Sequence, residues 1–89
     1  MNPALAPYIV LLRSLGLKEI SVADFEKKFL YLYKNDTTEW SESEFAVLDK
    51  LFGAVDAFCA DARLRSVGDL DESQLYEAGK IAWKDVHNL

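Results

Sequence analysis

Four amphipathic helices joined by short polar connections are what this chain predicts: an all-α fold, a small antiparallel four-helix bundle. Three observations carry that expectation. Apolar residues recur every three or four positions along four segments, which places them on one side of a helix. A serine or aspartate precedes three of those segments, with an acid or amide three residues on (Ser21 with Asp24, Ser41 with Glu44, Asp71 with Gln74). That pattern satisfies the first free N–H groups of a helix. No stretch alternates polar and apolar residues as a half-buried strand does.

The first helix opens on Pro7, whose fixed φ suits a first turn, and continues through Tyr8, Leu11, Leu12 and Leu15. Gly16 reads as its stop. Ser21 then caps a second helix with Phe25, Phe29, Leu32 and Tyr33 on one face and Lys27, Lys28 and Lys34 elsewhere. Tyr31 and Tyr33 fall on different sides, so at least one is expected to be exposed. The polar run from Asn35 to Thr38 breaks the pattern. Ser41 caps the third helix, with Trp40 and Phe45 placed to close on each other as a hydrophobic staple. Two apolar stripes run along it: Phe45, Leu48, Phe52, Val55 and Cys59, beside Val47, Leu51, Ala54 and Phe58. Two stripes imply two neighbours, so this helix is expected to be central. Arg63 to Leu70 is a linker broken by Gly68. Asp71 caps the fourth helix, which carries Leu75, Ala78, Gly79, Ala82, Trp83 and Val86, with Trp83 expected in the core.

Length and composition narrow the function. Eighty-nine residues form one domain, 1–89, which at this size buries roughly 60–65% of its unfolded surface. A net charge of −5 argues against direct nucleic-acid binding, because phosphate contacts need Lys and Arg. The single cysteine, Cys59, excludes an internal disulfide and fits a cytoplasmic protein. The opening MNPALAPYIVLL is far too short for a membrane span. Nothing suggests catalysis. His87, the only histidine, sits in the last turn, and Cys59 falls on an apolar stripe as a small hydrophobe. There is no phosphate loop, nucleophile motif or His/Cys metal spacing, and Asp69-Leu70-Asp71-Glu72 lacks the length of a calcium loop. Neither a cofactor nor a metal is expected, and the chain reads as a binding protein without enzymatic activity.

The acids are unevenly placed. Between Asp36 and Glu72, ten carboxylates face only Lys50, Arg63 and Arg65, a local charge of −7. A one-sided field of this kind steers and holds a cationic partner. Glu42, Asp49 and Asp56 are seven residues apart and share one side of the third helix. Pairing of Asp49 with Lys50 or a second-helix lysine is the alternative use of that charge. Asp61, Asp69, Asp71 and Glu72 follow within a short stretch of chain. Asp71 reads as a cap and Glu72 complements the positive end of the fourth helix, whereas Asp61, near a C-terminal helix end, is disfavoured by the dipole. The candidate binding residues are therefore Glu42, Asp49, Asp56, Asp61, Asp69, Asp71 and Glu72.

The same region carries a family resemblance. The segment LDKLFGAVDAFCAD, the LR that follows it and GDLDESQL resemble the colicin D-type self-protective immunity family, which includes immunity proteins of contact-dependent growth inhibition systems. The upstream piece ISVADFEKKFLYLYKND resembles that family's second helix, so the likeness runs from about Ile20 to Leu75. It implies a helical bundle that binds and blocks a cognate nuclease toxin, often one that cuts transfer RNA. The partner would be the toxin's basic, RNA-cleaving C-terminal domain, covered by the acidic face. The alternative is a helical adaptor or dimerisation module using an exposed apolar stripe, with a homodimer open to the free chain.

Overall fold

The computed structural model describes every residue from Met1 to Leu89 and is all helix apart from its connections. A single 3-10 turn, Pro3–Leu5, leads into α1 (Ala6–Gly16), followed by α2 (Val22–Lys34), α3 (Glu42–Ala57) and α4 (Glu72–His87). The caps form as their residues predict. The Ser21 hydroxyl accepts from the Asp24 N–H at 3.0 Å. Both capping boxes close reciprocally, Ser41 with Glu44 and Asp71 with Gln74. No helix is long and apolar enough to cross a membrane.

One core runs through all four helices. Its fully buried members include Leu5, Tyr8, Phe25, Phe29, Leu48, Val55, Leu75 and Val86. Tyr8 of α1 is its aromatic hub. The ring meets Phe29, Tyr33 and Trp40 edge-on, with centroids 5.9, 6.3 and 5.9 Å away. Its hydroxyl donates to Asp36 at 2.6 Å, tying α1 to the break after α2. Trp40 therefore packs against α1, and Phe45, its expected staple partner, remains 50% exposed.

Four expectations are corrected by the packing. The central helix is α4, which packs most extensively, chiefly on α1 and α3, while those two do not pack on each other. A small residue of α4 faces α1 where the two helices meet. A Cβ on Gly79 would stand 2.9 Å from Leu15 Cδ2, so the missing carbon leaves the room that the Leu15 side chain of α1 occupies. On α3 the buried side is Leu48, Leu51 and Val55, and the Phe45/Phe52 edge lies at the rim. The helix stops at Ala57, so Cys59 is not on a helical stripe at all: it is half-buried in the following loop. Trp83 sits on the surface and packs at a tilt against His87, centroids 4.3 Å apart. The first helix does stop at Gly16, as expected, and the left-handed residue that follows is Lys18, at φ 59°. The Lys18 N–H bonds to the Leu15 carbonyl and the Glu19 N–H to that of Ser14, the paired bonds of a Schellman ending.

The two interior glycines give opposite expectations. Gly53 is exposed, mid-helix, and a Cβ added there would meet nothing within 4 Å. Gly53→Ala is expected to stabilise the fold by about 0.5–1 kcal/mol through helix propensity. Gly79→Val should destabilise it by roughly 1–3 kcal/mol through overpacking against Leu15. Urea denaturation of the two variants checks both signs.

Candidate functional site

The core holds no charged side chain, so the groups able to act on a partner lie at the surface. At about 100° per residue, Glu42, Asp49 and Asp56 fall within about 40° of one another and span roughly 21 Å of α3. All three are exposed, on the side opposite Leu48, Leu51 and Val55. Exposed Ala46 and Gly53 lie between them, and Phe45 borders them. The stripe is thus flat at its centre and charged along its length, with an aromatic edge.

None of these three carboxylates makes a hydrogen bond or an ion pair within the molecule. The ion pairs are Arg63–Asp61 at 3.1 Å and Lys80–Glu77 at 3.9 Å, and neither Lys50 nor an α2 lysine reaches Asp49. Asp49 is nonetheless felt by its neighbour across the α2–α3 boundary. Burial raises the Tyr33 pKa above its ordinary value, and the Asp49 and Asp36 charges raise it further.

The remaining candidates divide by local duty. Asp61 is not a disfavoured charge at a helix end, because the helix has already stopped at Ala57. Its carboxylate accepts from the Arg63 side chain at 3.2 and 3.1 Å and from the Arg63 backbone N–H at 2.9 Å. Those bonds, the side-chain ones foremost, hold its pKa below the ordinary value. Asp69 accepts from the Ser66 N–H and hydroxyl at 3.0 and 3.1 Å. Asp71 caps α4, accepting from Gln74 N–H at 2.8 Å. Glu72 is exposed and lines a groove of about 960 Å³ between the end of α1 and α4, together with Tyr76 and Lys80. The structure therefore brings Glu42, Asp49 and Asp56 together as one uncommitted face. Asp61, Asp69 and Asp71 are spent on the α3–α4 connection, and Glu72 stands on the α1 side of α4. No three His, Cys, Asp or Glu side chains converge as a metal site would require.

Sequence reasoning missed two features. One is the Tyr8–Asp36 bond, which joins residues 28 apart and leaves no local signature. The other is the exposure of Leu64 and Val67 in the loop after α3, where a composition of isolated apolar residues predicts nothing.

The molecule is thus a compact four-helix bundle that presents one acidic helix face without intramolecular partners. A family model described as bacterial self-protective colicin-like immunity matches residues 4–83. The chain belongs to that family, and is an immunity protein that neutralises a toxin. No curated protein and no solved structure matches it.

Proposed function

We propose that the toxin is a nuclease, a ribonuclease acting on transfer RNA, whose basic cleft is covered by the acidic face of α3. The observation that carries this reading is the stripe of Glu42, Asp49 and Asp56, exposed and without intramolecular partners. Carboxylates so placed repel one another in the free protein and gain when a cationic surface replaces water beside them. They occupy, against such a cleft, the place of substrate phosphates. Inhibition is then steric and electrostatic, with no chemistry performed by this chain and no cofactor. Asp61, Asp69 and Asp71 contribute by shaping the adjoining loop, and Glu72 adds charge at its exit.

The cytoplasm is the compartment in which this protection is needed, and the toxin domain is the C-terminal part of a larger protein, as in contact-dependent growth inhibition. Protection of the producing cell calls for a Kd on the order of nM or below, about −12 kcal/mol. The direct test is a pull-down of the tagged chain with the C-terminal domain encoded immediately upstream, followed by a transfer-RNA cleavage assay on the eluate. Stoichiometric capture with loss of cleavage is the expected result. A chain that captures nothing and sediments as a homodimer would favour the adaptor reading instead.

A further inference from the structure

We infer that the loop from Phe58 to Asp71 is a preformed apolar anchor, placing Leu64 and Val67 in an apolar recess on the toxin beside its cationic cleft. The inference rests on the proposed function and specifies the second half of the interface.

The loop is long, yet its charged side chains are bonded within it or, at Asp71, to the first turn of α4. Its two ends pair as an isolated parallel bridge, Phe58 with Leu70, through Cys59 N–H to the Leu70 carbonyl at 2.9 Å and Leu70 N–H to the Ala57 carbonyl at 2.8 Å. Between them Arg65 donates twice to the Cys59 carbonyl, at 3.1 and 2.9 Å. Arg63 is held by Asp61. A tight turn follows, in which the Asp69 N–H bonds to the Ser66 carbonyl at 3.0 Å and Gly68 takes φ 94° at the third position.

Beside the exposed but paired Arg63, two large apolar side chains of the loop are left outward. Leu64 is 74% exposed and Val67 is fully exposed, one on each turn. Single exposed apolar residues are ordinary on a surface. Two of them on one internally braced loop, whose own charged side chains are already engaged, are a different case. Their side chains bury nothing in the free protein, and bracing of the backbone lowers the entropy lost when they become fixed against a partner.

Charge identifies the occupant. Asp56, one residue before the end of α3, and Glu72, the first residue of α4, bracket the loop, and neither has an intramolecular partner. A surface that covers the loop from its tip towards its paired ends approaches these free carboxylates, and an apolar surface with a basic rim suits it. The toxin domain supplies that rim by the proposed reading. The division of labour follows: the α3 acids set the rate of encounter and the loop sets the rate of escape.

The test is a kinetic comparison, with purified upstream-encoded toxin domain immobilised and the chain passed over it at several salt concentrations. The double variant Leu64→Ser/Val67→Ser is expected to dissociate at least 10-fold faster than wild type. Its association rate and salt dependence should change less than twofold. Because both side chains are exposed, its circular dichroism and melting temperature should match wild type. Wild-type binding with an unchanged dissociation rate in the variant overturns the inference while leaving the proposed function intact. Failure of wild type itself to bind overturns both. A wild-type homodimer in sedimentation that these substitutions dissociate assigns the loop to self-association and also overturns it.

Discussion

Reversing the charge at Asp49 and Asp56 together (Asp49→Lys/Asp56→Lys) is expected to lower the association rate constant for the toxin domain by about 10–100-fold at low salt. Both carboxylates are exposed and hold no other residue in place, so the circular dichroism spectrum should be unchanged. The dependence on salt should also weaken, because wild-type association is accelerated by a field that ions screen over about 10 Å at 0.1 M. The control is Glu19→Lys/Glu77→Lys, which changes net charge equally but away from α3. If the control slows association as much as the α3 variant, overall charge steers the encounter and the face has no special part. Asp61 is unsuitable for such a test. Its removal would release Arg63 and loosen the loop, so an altered affinity could not be assigned to direct contact.

The second large effect concerns stability and centres on Tyr8. Tyr8→Ala should cost about 3–5 kcal/mol, because it empties the point where α1, α2 and Trp40 meet. Against a total of about 5–15 kcal/mol for a domain of this kind, that leaves a substantially unfolded population near 37 °C. Tyr8→Phe keeps the ring but removes the donor to Asp36, and should cost about 1–2 kcal/mol in urea denaturation.

The Tyr8–Asp36 pair also shapes the dependence on pH. Burial opposes ionisation of Asp36, but hydrogen bonds from Thr38 and Tyr8 outweigh it and bring the pKa below the ordinary 3.8. A carboxylate so depressed adds stability that is fully present above its unfolded pKa and is lost as pH falls through the folded one. Tyr8 shifts the other way. Burial, then its bond to Asp36 and the charge there, raise its pKa above the ordinary 10.0. That contribution is full below pH 10 and disappears as the solution becomes more alkaline. Denaturation midpoints followed against pH should therefore fall at both extremes. In Tyr8→Phe both declines should be shallower, since one group has lost its donor and the other its proton.

Much of the architecture was legible before any tertiary contact was known. Helix starts at Ser21, Ser41 and Asp71 depend on side chains reaching backbone N–H groups three residues away, which is local chemistry. The seven-residue spacing of Glu42, Asp49 and Asp56 likewise determined that they share a face, because helical geometry alone sets it. The four helices, the acidic face and the family likeness could all be read in this way.

Other features depended on which helices touch. Spacing could not rank the helices by centrality, since two apolar stripes on α3 looked more demanding than the small residues of α4. The packing decided otherwise: α1 and α3 both lie against α4 and not against each other, with Gly79 leaving room for Leu15. Trp83 reached the surface for the same reason: periodicity gives the side of a helix but not where its partners end. The acids of the α3–α4 loop looked equivalent as a run of charge, yet the turns consumed Asp61 and Asp69 and left Asp56 free. Partnership between residues far apart or in irregular backbone is a property of three dimensions. It was the tertiary structure that separated the carboxylates holding the fold from those available to a toxin.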